Sequence, residues 1–249
     1  MVMTWIVLGL AAALFAGWTV RGGKLTAGGA AVAVILAGVV TGFAGLKWLV
    51  PLFVFFLSSV AIGRWLPAEV DAGDEKDARP RDAIQVFCNG GTYGFLALAG
   101  GAPTLLLVAM AVATADTWAS EVGKYFRQPT YDILRLRRVP PGLSGGVSGA
   151  GTLAGAVGAA LLASCGWMLD KSFTATDLLW VAGWGFAGML VDSVLGAALQ
   201  ARYRDAAGGL TDRAGEGHEL VRGYSWMSND AVNLASILVT VAVAWLRGR

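Results

Sequence analysis

Residues Ala83–Ala115, AIQVFCNGGTYGFLALAGGAPTLLLVAMAVATA, run for 33 positions without a charge. As one helix that run would extend roughly 50 Å, against a bilayer hydrocarbon core of ~30 Å. It is too long for a single crossing and too apolar for a surface that faces water. Gly100-Gly101-Ala102-Pro103 interrupts it with turn residues, so it reads as a helical hairpin, about 84–99 and 103–122. Outward from the hairpin the same pattern repeats. Val2 to Val20, Leu25 to Leu46 and Trp48 to Gly63 are charge-free. On the other side, a span near 147–168 follows Pro140-Pro141-Gly142. Leu178 to Ala201 is interrupted only by Asp192, and Ala231 to Leu246 closes the series. The expected fold is all-α: a polytopic transmembrane helical bundle of about eight segments, some short or re-entrant.

Composition agrees. Of 249 residues 56% are hydrophobic and only 14% charged, with a mean hydropathy of +0.61, whereas a soluble domain carries about 25% charged residues. Thirty-five glycines against seven prolines suit close helix packing in lipid. A net charge of +2 gives no basis for nucleic-acid binding, and two cysteines with one histidine make neither a disulfide framework nor a usual zinc site. The first segment has no basic residue ahead of it and Arg21 and Lys24 behind it, the reverse of signal-peptide order, so it is expected to be a membrane helix. The chain reads as a single integral-membrane domain, 1–249, with an N-terminal three-helix part at 1–63 and a catalytic helical core at 83–246.

Charge sets the orientation. Loops 21–24, 64–82, 123–146 and 201–228 together hold fifteen of the nineteen basic residues. That asymmetry predicts cytoplasmic loops on this side, with both termini outside. The charge-rich stretches 64–82 and 201–225 read as lids or, more commonly, solvated linkers.

Polar residues gather on the same side in four clusters. Arg81 to Gly91 sets Gln85 and Asn89 on one helical face, where a cap followed by a Gly90/Gly94 packing seam is the plain alternative. Thr114 to Lys124 carries Asp116 about two turns inside the membrane, where a carboxylate needs a cation or a strong donor. Glu121 and Lys124 alone could be an ordinary boundary ion pair. Val139 to Gly149 is a Gly-rich turn before a helix start, suited to anions yet also a common packing turn. It lacks the lysine of a Walker A loop. Trp226 to Asn233 opens the last helix. A cap explains Ser228 or Asn229 there, but not Asn233, and Asp192 has the same burial problem as Asp116. Buried carboxylates, carboxamides, a Gly-rich turn and basic residues at one membrane face point to a phosphate site with a hard cation such as Mg²⁺.

The strings RDAIQVFCNGG at 81–91, ADTWASEVG at 115–123, VPPGLSGGVS at 139–148 and NDAVNL at 229–234 resemble the membrane family that includes plant phytyl-phosphate kinase and human transmembrane protein nineteen. The likeness spans roughly 80–240 with the motifs in order. More distantly it is similar to the CTP-dependent phytol and dolichol kinases and CDP-diacylglycerol synthase. Some relatives carry Asn where this chain has Asp230.

The resemblance implies a prenyl-phosphate kinase that moves the terminal phosphate of a nucleoside triphosphate, CTP first, onto an isoprenoid monophosphate such as phytyl or geranylgeranyl phosphate. Asp116 and Glu121 would be Mg²⁺ (or Mn²⁺) ligands, with Asp192 and Asp230 as further candidates. Asn89, Asn229 and Asn233 would orient phosphates or complete the metal shell. Ser144, Gly145, Gly146 and Ser148, helped by Lys124 and Arg138, would hold the nucleotide. The expected setting is the cytoplasmic membrane of a prokaryote with the site at its cytoplasmic face. The bilayer, the isoprenoid phosphate and the nucleotide are the expected partners, and a homodimer is an admissible assembly. Three rivals stand beside this reading: a cytidylyltransferase making a CDP-lipid, an ion-coupled transporter, and a purely structural membrane scaffold, which would leave the buried carboxylates unexplained.

Overall fold

A computed structural model describes residues 2–66 and 79–248, with side chains from residue 6 onward. Lys76 and the rest of 67–78 lie outside the described residues. Among those described, the chain forms eight α-helices: α1 (Val2–Arg21), α2 (Ala27–Phe43), α3 (Leu49–Trp65), α4 (Ala83–Leu98), α5 (Pro103–Phe126), α6 (Gly149–Leu169), α7 (Ala175–Leu199) and α8 (Asn229–Arg247). Five helical stretches, containing α3, α5, α6, α7 and α8, are long and apolar enough to cross a membrane, and α1 and α2 contribute shorter apolar helices.

Local chemistry fixes the helix ends. The Thr26 hydroxyl accepts from the Gly29 amide at 3.0 Å and caps α2. Asp82 accepts from the Gln85 N–H at 2.9 Å while Gln85 accepts from the Asp82 N–H at 3.3 Å, a reciprocal cap that opens α4. The α4–α5 hairpin turns where expected. Gly100 takes a left-handed φ of +66°, the Gly101 N–H returns to the Leu96 carbonyl at 2.8 Å, and Pro103 begins α5.

Helix α5 is the axis of the bundle. Every residue from Leu105 to Ala115 is buried, and the helix packs against α3, α4, α6, α7 and α8. A helix apolar all round belongs in an interior. Its neighbours come close because they carry glycine at the contacts. A Cβ added at Gly155 of α6 would meet Met189 Sδ and lie 3.0 Å from the Ala115 carbonyl oxygen. One added at Gly185 of α7 would come within 2.6 Å of the Ala111 methyl. Small residues thus set the spacing, as expected where lipid gives helices no hydrophobic reason to associate.

The described residues of the predicted polar clusters lie at one end of the bundle. There the α1–α2 turn bridges to the start of α4: the Thr26 N–H donates to the Arg81 carbonyl at 3.0 Å and the Arg81 N–H to the Lys24 carbonyl at 3.1 Å. At the opposite end the Lys47 ammonium donates to the Leu169 carbonyl, and the Tyr93 hydroxyl donates to the Trp48 carbonyl at 2.6 Å.

The polar end also contains short strands that hydropathy left as loops. β1 (Thr130–Asp132), β2 (Arg138–Val139) and β3 (Gly146–Val147) form an antiparallel sheet in the order β2-β1-β3. β4 (Arg202–Arg204), β5 (Leu210–Thr211) and β6 (Glu219–Arg222) form another in the order β5-β4-β6. Asp132 joins the two. It is 1% exposed and accepts from the Leu134 and Arg135 amides at 3.0 and 2.9 Å. Its other oxygen lies 3.4 Å from Arg135, 3.6 Å from Arg202 and 3.7 Å from Arg222. Burial alone would raise the Asp132 carboxyl. The two N–H donors and the Arg135 and Arg202 charges outweigh burial and hold it below the usual carboxylate range.

Gly155→Leu lowers the melting temperature of the detergent-solubilised protein, an overpacking cost of about 1–3 kcal/mol. Gly183→Leu, where an added Cβ meets nothing within 4 Å, leaves it within about 0.5 kcal/mol. Because the folded Asp132 carboxyl sits below its unfolded value of about 3.9, its stabilisation is complete above that pH and fades as acid protonates the folded form. Asp132→Asn costs about 3 kcal/mol at neutral pH and flattens the acid limb of a denaturation series.

Candidate functional site

The polar end encloses one cavity of about 1210 Å³ that continues between α1, α2 and α3. Helix α5 supplies Asp116, Thr117, Ser120, Glu121 and Lys124 to it, a set that winds along the last turns of the helix. Helix α7 supplies Asp192 and Ser193, and α8 supplies Asn229, Asp230 and Asn233. Asn89 enters from α4, one turn beyond the Gln85 cap, with its amide nitrogen donating to the Gln85 carbonyl at 2.9 Å. Its amide oxygen is the atom it can offer to the cavity.

The centre of the polar chamber is a pair of carboxylates. Asp116 and Asp192 come together at hydrogen-bonding distance from neighbouring helices. Asp192 is 6% exposed and lies seven residues, about 10 Å, before the end of α7 at Leu199. Its Oδ2 accepts from the Ser236 hydroxyl at 2.9 Å. The Asn233 amide nitrogen, turned toward its acceptors, lies 3.2 Å from the same oxygen and 3.1 Å from the Asn229 carbonyl. Two carboxylates this close form a locus that a bound cation would satisfy. Lys124 acts on Asp116 as a nearby positive charge.

The Gly-rich turn lies against the end of α7. Gly145 has φ +77° and its backbone abuts Ala197, so this position requires glycine for conformation and for space. Ser144 is held at three atoms. Its N–H donates to the Asp212 carboxylate at 2.6 Å, its hydroxyl donates to Gln200 at 2.6 Å, and its carbonyl accepts from Arg202 at 2.6 Å. Ser148 caps α6 by accepting from the Gly151 N–H at 3.3 Å, and Ser228 caps α8 in the same way through Ala231.

Of the residues singled out in the sequence, all but one line this cavity, including Ser144, Gly145, Gly146 and Ser148 of the turn. The exception is Arg138. Although it precedes the turn in sequence, the β1–β2 pairing sets it opposite Tyr131 and leaves it exposed, away from the cavity lining. The four carboxylates also do not gather as one ligand set. Asp116 and Asp192 pair, but among the described residues no three His, Cys, Asp or Glu side chains group to hold a metal by themselves.

Sequence reasoning missed Ser236, Gln200 and Asp212. Ser236 was legible, since Asn229, Asn233, Ser236 and Thr240 continue one face of α8 at i, i+4, i+7 and i+11. Asp212 was not, because nothing in a polar loop marks the one carboxylate that reaches a backbone N–H 68 residues away.

The chain matches the family model described as integral membrane protein DUF92 over residues 10–241. It is 32% identical over 163 residues to an uncharacterized membrane protein of Methanocaldococcus jannaschii, covering 64% of this chain and 67% of that protein. It is 28% identical over 252 residues to protein PGR of Arabidopsis thaliana, covering 82% and 85%. To protein VTE6, chloroplastic, of the same plant it is 29% identical over 175 residues, covering 67% of this chain and 46% of that longer protein. No solved structure matches. With nearly its whole length matched, and with plant relatives in the direction the motif strings pointed, the chain belongs to the DUF92 family of integral membrane proteins.

Proposed function

We propose that this protein is a membrane prenyl-phosphate kinase, transferring the terminal phosphate of a nucleoside triphosphate, CTP first, to an isoprenoid monophosphate at the cytoplasmic face. The observation that carries the reading is the single cavity in which the Asp116–Asp192 pair, the 142–148 turn and Asn233 share walls, and which continues into an apolar space between α1, α2 and α3. Separate polar pockets would have suited unrelated structural roles.

The chemistry asks little of a general base. A phosphate monoester has a second pKa of about 6, so the acceptor oxygen is anionic at neutral pH and can attack directly. A bond forms between that oxygen and the terminal phosphorus, the bond to the bridging oxygen breaks, and the nucleoside diphosphate leaves. The rate then depends on positioning and on offsetting charge. Mg²⁺ (or Mn²⁺) suits the donor set, since such ions are held by one or two carboxylates with the remaining ligands from water and substrate phosphate. Asp116 and Asp192 would hold it, and when bound it neutralises the crowded phosphates. Ser236 and Asn233 fix the Asp192 oxygens so that the pair keeps one geometry. Lys124 supplies positive charge from the α5 side, and Glu121 lies one turn before it on the same helix. Gly145 and Gly146 let a phosphate approach the backbone ahead of α6. Asp212 occupies the Ser144 N–H, which an incoming phosphate oxygen would also seek.

Purified protein in mixed micelles with CTP labelled at the terminal phosphate and geranylgeranyl phosphate tests this. The label passes to a lipid diphosphate; a CMP-bearing lipid with released pyrophosphate would instead mark cytidylyl transfer and overturn the kinase reading. Asp116→Asn lowers kcat about 100-fold or more, and unchanged turnover would remove Asp116 from the reaction. Asp212→Asn keeps the acceptor for the Ser144 N–H but withdraws a charge. Nucleotide KM falls roughly fivefold, the equivalent of about 1 kcal/mol, with kcat little changed.

A further inference from the structure

We propose that helices α1, α2 and α3 form the binding channel for the acceptor's isoprenoid chain, and that the depth of this channel sets the chain length accepted. This rests on the kinase reading for the headgroup chemistry, but the channel itself rests on shape and charge. On α3 the wall is Leu49, Leu52, Phe53, Phe56, Val60 and Arg64, spaced so that they form one helical face. From Leu49 to Arg64 that face rises about 22 Å, most of the depth of a bilayer core. On α1 the wall reaches down to Leu8, and on α2 to Thr41, near the opposite membrane face. Almost every side chain on it is aliphatic or aromatic, and Ser59, which also lines it, turns its hydroxyl back to the Phe55 carbonyl at 2.7 Å. Such a lining holds a hydrocarbon and offers a nucleotide nothing.

The mouth has the opposite character. Lys24, Arg64, Arg79 and Arg81 line it where it opens into the polar chamber. The Arg81 guanidinium lies 5.8 Å from the Phe55 ring centre and the Lys24 ammonium 5.5 Å from the Trp18 ring, so aromatic residues set both charges at the rim. A long apolar channel with cations at its open end matches a chain whose only charge is a terminal phosphate. The phosphate would sit at the rim, next to Asn89 and facing the Asp116–Asp192 pair, with the tail below it.

Two glycines show where depth can be altered without disturbing the fold. Gly38 on α2 and Gly9 on α1 both line the channel, and an added Cβ at either meets nothing within 4 Å. Each lies twelve residues, about 18 Å, from the polar end of its helix, Gly38 from Thr26 and Gly9 from Arg21.

The test compares geranyl phosphate with geranylgeranyl phosphate in wild type, Gly38→Phe and Gly9→Phe, by turnover and by equilibrium competition against radiolabelled geranylgeranyl phosphate. The expected result is a tenfold or greater fall in affinity and kcat/KM for the longer acceptor, with the shorter one retained within about twofold. Equal losses for both acceptors, or no change in either, would overturn the channel. So would phosphatidic acid competing as well as geranylgeranyl phosphate, since that would mark a general lipid crevice. If wild type phosphorylates neither compound, the kinase reading fails, while the binding ratio still decides the channel. Gly9→Phe acts from a different helix, α1, and keeps the test intact if Gly38→Phe does not fold.

Discussion

A carboxylate inside a membrane bundle has to be answered by another polar group, and Asp192 is answered from two helices. Asp116 meets it from α5, while Ser236 and Asn233 reach its Oδ2 from α8. In a hydrocarbon setting each unsatisfied partner would be costly, so the contacts fix how α5, α7 and α8 face one another at their polar ends. The same contacts hold a pair of carboxyl groups open toward a cavity. Fold stability and chemistry therefore draw on the same atoms.

Packing below that layer keeps it in register. Glycines at 155 and 185 bring α6 and α7 onto the buried length of α5, and lateral slip would move Asp116 away from Asp192. The close-packed part of the molecule carries the acidic centre, whereas α1 and α3 present many exposed apolar side chains, among them Leu10, Leu14 and Leu57, as lipid-facing walls do.

Much of this was legible in the sequence because its signals are local. Charge-free runs located the helices to within a few residues, and Gly100 and Pro103 marked the hairpin. The buried carboxylates could be singled out from cost alone. What escaped were contacts between distant segments. Strands of two to four residues have no period to detect, so both small sheets and the Asp132 cluster were invisible. Arg138 was drawn toward the site by its neighbours in sequence and carried away by a hairpin. The first three helices read as hydrophobic and nothing more, since a channel is a property of how helices stand apart, which no single helix encodes.

The position of Arg202 has a mechanical consequence. One side chain touches Asp132 at the end of β1, the Ser144 carbonyl in the Gly-rich turn and Asp212 in the β5–β6 connection. These points belong to two long loops, yet one guanidinium rivets them together. Neither loop can swing alone without breaking a buried charge contact, so the two move as one body.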